Sequence, residues 1–156
     1  MRINIDSNAS ELVRAFKKAP AVMMRSIDRK LGRGALEVAR EAKIKAPKAR
    51  SLLTNSIRSS RVRLGEYLIS AGTNYAGYVE EGTRRGGWPS KQVLAVWMSA
   101  HGIDASLNFV IARAIYRKGT REQPYMAPAL NDKTSRVMAL VRQGVKDGLR
   151  EVAAIR

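Results

Sequence analysis

The sequence predicts an α+β fold in which a small antiparallel β-sheet packs against long N- and C-terminal helices, with a helical insertion after a central loop. Three patterns carry this. From Met23 the apolar residues Ile27, Leu31, Ala35, Val38 and Ala42 recur in steps of three or four, which places them along one helical face. Leu130, Val137, Val141, Val145, Leu149 and Val152 trace a second helical line that runs to Ala153. Between them, Ile57 to Arg63 and Tyr67 to Ala71 flank Leu64-Gly65-Glu66, as two strands joined by a short turn would.

The remaining elements follow in chain order. Arg2 to Asp6 alternates Ile3 and Ile5 with polar neighbours and predicts a half-buried strand. Asn8-Ala9-Ser10-Glu11 has the form of a capping box before a short helix through Leu12, Val13 and Phe16. Pro20 suits the first turn of a second helix, where a missing N–H costs nothing. Gly32 and Gly34 inside that helix predict a bend or close packing of another backbone, and Pro47 ends it. Tyr75 to Glu81 suits a helical turn stopped by Gly82, and Thr83 to Pro89 reads as a loop. Ser90 can cap a helix carrying Val93, Leu94, Val96 and Trp97 and ending near Gly102. Asp104 or Ser106 can cap the next, with Leu107, Val110, Ile111, Ala114 and Ile115 inward. Pro124 and Pro128 predict an extended or turned stretch from Gly119 to Pro128. All of this suits a single domain over residues 1–156, with the helical insertion at 90–118.

Composition narrows the function classes. The chain has 29 Lys+Arg against 13 Asp+Glu, a net charge of +16, yet 45% of its residues are hydrophobic. That apolar content supports a core and argues against a disordered polycation. The charge points to a polyanionic neighbour: nucleic acid, an anionic membrane or acidic protein subunits. It is front-loaded, with 16 Lys/Arg and 5 Asp/Glu up to residue 65 and 13 against 8 beyond it. Arg25, Arg29 and Arg33 share a helical spacing, Arg40 lies near their line, and Lys43, Lys45, Lys48, Arg50, Arg58, Arg61 and Arg63 follow. This stripe is a candidate face for phosphates or, equally, for acidic subunits. No run approaches the ~18 apolar residues of a membrane span, and the N-terminus lacks the apolar core of a signal peptide, so a soluble intracellular product is expected.

Catalytic chemistry finds little support. Without cysteine there are no disulfides, thiolate metal sites or thiol nucleophiles. The one histidine, His101, precedes Gly102 at a predicted helix C-terminus, where a cap or surface role is expected. Glu80 and Glu81 are adjacent, so on a helix they diverge by about 100° and read as solvated or salt-bridged carboxylates rather than an acid–base pair. No loop matches a phosphate-cradling or dinucleotide fingerprint, and no cofactor is expected. Among the aromatics, Trp97 reads as core. Trp88, between Gly-Gly and Pro, reads either as an intersubunit anchor or as a ring folded back on its own domain. The triplet Gly82-Thr83-Arg84 recurs as Gly119-Thr120-Arg121.

Four segments in order carry a resemblance: Ala35 to Lys43 followed by Ala46-Pro47; Leu53-Thr54-Asn55-Ser56-Ile57; Asn74 to Arg84, containing Tyr-Ala-Gly-Tyr-Val-Glu-Glu-Gly-Thr-Arg; and Gly119-Thr120-Arg121 with Pro124 to Leu130. Together, over residues 30–150, the chain resembles the tail-completion (minor tail, or head–tail joining) proteins of long-tailed bacteriophages. Arg50-Ser51 stands where that family often has Thr-Gly, and the helices between Trp88 and Lys118 look like an insertion that only some members carry. The resemblance implies a structural virion protein without catalysis, made in the bacterial host cytoplasm. It would act at the neck as a homo-oligomeric, sixfold ring around the channel, against other neck and tail proteins and packaged double-stranded DNA, with no membrane partner. Tyr75, Tyr78, Glu80, Gly82, Thr83, Arg84 and Trp88 become candidates for an intersubunit loop. Arg25, Arg29, Arg33, Arg40, Lys43, Arg61 and Arg63 become candidates for a basic face toward DNA or acidic subunits. The alternative, from another class, is a small non-specific DNA-binding protein acting through that basic helix face.

Overall fold

The computed structural model describes residues 9–48 and 51–154. The predicted strand at Arg2 to Asp6 and the cap at Asn8 lie outside them. Element order is α1 (Ala9–Lys45), α2 (Leu52–Ser56), β1 (Ile57–Arg63), β2 (Glu66–Ala71), α3 (Ala76–Glu81), α4 (Lys91–Ala100), a 3₁₀ turn (Ala105–Leu107), α5 (Asn108–Lys118) and α6 (Met126–Ala153). The fold is α+β: long N- and C-terminal helices with an antiparallel two-stranded sheet, β1-β2.

Two boundaries differ from the sequence reading. One helix of 37 residues continues through Pro20, where two helices were expected. Breaking it there would expose a fresh set of unpaired N–H groups and require a second nucleation, so losing one ladder bond is the cheaper outcome. At the other end α6 begins at Met126, so Pro128 lies in its first turn rather than in an extended segment. A first-turn proline removes an N–H that has no helical partner anyway.

The chain divides into two compact units. The first takes in residues through Val38, Ser59–Ile69 and the chain from Asp132. In it the glycines of α6 set the helix packing: a Cβ on Gly144 would stand 2.8 Å from the Ile27 Cα of α1, and one on Gly148 would stand 3.0 Å from the Met23 Cα. Gly32 and Gly34 of α1, the positions expected to admit another backbone, instead face the Tyr67 ring and the Val137 side chain. Asp28, a buried carboxylate on α1, holds the hairpin. It accepts the Gly65 N–H at 2.8 Å and a longer Tyr67 hydroxyl bond, and it pairs with Arg61 at 3.2 Å. Gly65 makes the turn at φ 79°, a conformation a side chain disfavours. On the part of α6 in this unit the buried residues are Leu140, Gly144 and Gly148. Val137, Val141 and Val145 are half-buried, and Leu149, predicted inward, is exposed.

The second unit comprises Ala39–Arg58 and Ser70–Asn131. Its buried residues include Ala42, Ala46, Leu53, Ile57, Tyr125 and Ala129, together with a cluster of Leu94, Met98 and Ala112 backed by Ile103, Ile111 and Ile115. Leu130, predicted inward, is exposed. The α4–α5 hairpin therefore has a core that keeps Leu94, Ile111 and Ile115 of the predicted apolar faces and adds Met98, Ile103 and Ala112. Val93, Val96, Trp97, Leu107, Val110 and Ala114 are exposed. Leu94 and Met98, four residues apart, supply the inward line of α4, while Val93, Val96 and Trp97 form a second apolar stripe beside it. Trp97, expected in the core, lies against His101 with ring centroids 4.5 Å apart.

Candidate functional site

The two Gly-Thr-Arg triplets meet. Gly82 ends α3 at φ 69°, ψ −171°, and Gly119 ends α5 at φ 75°, ψ −171°. This region is essentially restricted to glycine. From there the chains run antiparallel, and Thr83 and Thr120 exchange both backbone hydrogen bonds at 3.1 Å. Their hydroxyls lie 2.9 Å apart, and the Thr83 hydroxyl also accepts the Thr120 N–H at 2.9 Å. A Cβ on Gly82 would stand 2.8 Å from the Glu122 nitrogen and closer still to the Thr120 carbonyl oxygen. One on Gly119 would press into the Thr83 carbonyl. The repeated triplet is thus a local pseudo-twofold clasp, and each glycine is required by the backbone of the other strand.

Glu80 locks the same junction from the side. Its carboxylate accepts the N–H groups of Tyr125 and Met126 on Oε2, at 2.8 and 2.9 Å, and that of Ala127 on Oε1 at 2.9 Å. These donors open α6 and have no helical partners, so Glu80 caps that helix from 45 residues away in sequence. Burial pushes its pKa up, but the N–H bonds from Met126, Ala127 and Tyr125 outweigh this and hold it below the usual value of 4.5. Tyr125 is buried, and burial, then the charges of Glu80 and Tyr75, raise its phenol above its usual range. The Val79 carbonyl accepts the Gln123 N–H at 2.8 Å. Glu80 is thus a half-buried cap rather than a free or salt-bridged carboxylate, and both its oxygens are occupied by backbone donors. Glu81, beside it, is exposed.

The other loop candidates divide by exposure. Tyr75 sits half-buried at the N-cap of α3, whereas Tyr78 is 64% exposed and Arg84 is also exposed. Trp88 folds back on its own chain. Its ring packs at a tilt on Phe109 and Tyr116 of α5, with centroids 5.9 and 5.6 Å away, and the Gly86 N–H donates to the Tyr116 carbonyl at 2.7 Å. His101 forms the C-cap of α4. Because a carbonyl can only accept, its Nδ1 donates to the Trp97 oxygen at 2.8 Å.

The basic candidates are largely occupied. Arg29 pairs with Glu151, Arg33 with Glu37, Arg61 with Asp28 and Arg63 with Glu66. Arg25 and Arg40 are exposed and Lys43 is half-buried. Arg40 and Lys43 belong to the second unit, the other five to the first. Residues 84–121, by contrast, hold seven Lys/Arg against one acid, Asp104. That carboxylate caps the 3₁₀ turn through the Ser106 N–H at 2.8 Å. Among the described residues no ion pair engages any of those seven cations. Arg33–Glu37 and Arg63–Glu66 are pairs three or four residues apart, whereas Arg29–Glu151 and Arg61–Asp28 join separate elements and are not legible from spacing.

Among the described residues no group of three or more His, Asp or Glu side chains could hold a metal ion. No described helix is long and apolar enough to cross a membrane. No family model, curated protein or solved structure matches the chain.

Proposed function

We propose that this protein is a structural, non-catalytic subunit of the neck of a long-tailed bacteriophage, assembling as a sixfold ring that completes the tail and lets it join the DNA-filled head. The observation that supports the reading most is the mutual dependence of two of the four ordered segments. The Tyr-Val-Glu-Glu-Gly-Thr-Arg block and the Gly-Thr-Arg to Pro-Ala-Leu block form one junction through Glu80 and the Thr83–Thr120 pair. Their occurrence together, at that separation, thereby has a physical reason. The engagement of both Glu80 oxygens by backbone donors also weighs against a hydrolase built on that residue. In a ring closed by one repeated interface, a loop surface of each copy meets a different patch on the next. Within the candidate loop, the exposed Tyr78 and Arg84 suit that contact, whereas Glu80, Gly82 and Thr83 are committed inside the chain and the half-exposed Trp88 rests on α5 of its own chain.

Electron microscopy of particles made without this protein tests the reading. Filled heads and finished tails that fail to join are expected, and fully joined, infectious virions would overturn it. The alternative, a non-specific DNA-binding protein acting through the α1 stripe, is weakened by the in-chain pairing of Arg29, Arg33, Arg61 and Arg63. Such a protein must lose DNA affinity steeply with salt, by about 0.9 in log–log slope per phosphate neutralised.

A further inference from the structure

The surface of α5 and the loop before α4 combine two properties found together nowhere else among the described residues. One is an exposed aromatic cluster: Trp88 is 54% exposed, Phe109 62% and Tyr116 46%, the tryptophan packed against both of the others. The other is uncompensated positive charge. Helical spacing sets Arg113 and Arg117 beside Phe109 and Tyr116 on the outward side of α5, with Val110, itself 60% exposed, next to them. Arg85 adjoins Gly86, which is tied to the Tyr116 carbonyl. All three arginines are exposed, and Asp104, the one acid within residues 84–121, is turned to its own backbone.

We infer that this aromatic and arginine surface is a docking site for an acidic protein segment that inserts apolar side chains against Trp88, Phe109 and Tyr116 while its carboxylates meet Arg85, Arg113 and Arg117. An apolar centre with an arginine rim is the composition of a protein interface, and burying three aromatics that now face water supplies its affinity. Charge complementarity selects the occupant. A second copy offers no acidic segment to this face: its only adjacent carboxylates are Glu80 and Glu81, and Glu80 is committed to the start of α6. Nucleic acid would answer the arginines but leave Val110 and the aromatic edges without use. The rings are tilted onto one another at 49° and 53° and offer no parallel slot for a base. The inference does not depend on the neck reading.

A synthetic amphipathic helix of about 20 residues, glutamate on one face and leucine on the other, is a suitable probe. Its binding to the full chain can be followed by tryptophan fluorescence and calorimetry. Saturable binding is expected, weakened tenfold or more by Trp88→Ala and by the pair Arg113→Glu/Arg117→Glu, and weakened likewise when the peptide's leucines become serines. These side chains are exposed, so circular dichroism and melting should show both variants folded. Equal binding by wild type and variants would overturn the inference. So would tighter, Trp88-dependent binding of an oligothymidylate or of phosphatidylserine vesicles. Self-association that Trp88→Ala abolishes would also overturn it, giving the face to a second copy and leaving the ring reading intact.

Discussion

Ser51 is the one non-glycine residue with positive φ among those described, at φ 55° and ψ 3°. It stands at the head of α2, where the resembled family often carries glycine, and its backbone keeps the left-handed geometry that glycine would adopt without strain. A side chain there costs about 1–2 kcal/mol, partly offset by the greater chain entropy that glycine loses on folding. Ser51→Gly should therefore stabilise the protein by roughly 0.5–1 kcal/mol in urea denaturation, and a loss of stability would show that the serine side chain has a role of its own. Glu80 gives the opposite case. Its carboxyl titrates below 4.5 in the folded chain, so its stabilisation is complete above the unfolded value and drains as pH falls through the folded one. Glu80→Gln should cost about 1 kcal/mol near neutrality, the modest figure reflecting its partial exposure, and should flatten the acid limb of stability below pH 4.5. An unchanged acid limb would mean that other carboxylates set it. From sequence, Glu80 could be read only against its neighbour Glu81, because the donors that define its role lie 45 to 47 positions away.

Helix and strand identities were legible because they rest on local periodicity, and α1, α6 and the β1-β2 hairpin follow it. What periodicity could not decide was which apolar line faces inward when an element carries two. In α4 the outward stripe of Val93, Val96 and Trp97 is as regular as the inward pair of Leu94 and Met98. In α6 the positions of closest contact are not the large residues but Gly144 and Gly148, which a hydrophobic count passes over. Their separation of four puts both on one face of the helix, against the α1 backbone. In an exposed helix a glycine-to-alanine change gains about 1 kcal/mol from propensity alone. Gly144→Ala should instead destabilise by about 1–3 kcal/mol, since the added methyl meets main chain that cannot rotate away. Gly77, in α3, is the control, because a methyl added there would have nothing within 4 Å: Gly77→Ala should be neutral or stabilising. Equal effects at the two sites, measured by thermal unfolding, would mean that α1 and α6 can separate without cost.

At the scale of the whole molecule, what matters is how much of a basic chain's charge remains free. Counting residues placed the excess before position 65, but the folded chain pairs much of that stripe with its own carboxylates, whereas the cations of 84–121 find no such partners among the described residues. Exposed pairs contribute little individually, about 0–1 kcal/mol each, so their importance is less for stability than for what the surface presents to a neighbour. The same separation between folding and association makes the ring reading testable in one variant. Tyr78 and Arg84 are exposed and make no contact that secures the Thr83–Thr120 clasp, so Tyr78→Ala combined with Arg84→Glu should leave stability within about 0.5 kcal/mol of wild type. If the loop closes a ring, truncating an aromatic and reversing a charge at its centre should remove at least ~2 kcal/mol from every interface of the cycle. Because the same interface repeats around the ring, the population in mass photometry should shift from hexamers to monomers without a change in melting temperature. Hexamers that persist in this variant would place the ring contact elsewhere on the chain. Monomers accompanied by a lowered melting temperature would show that the loop serves the fold before it serves assembly.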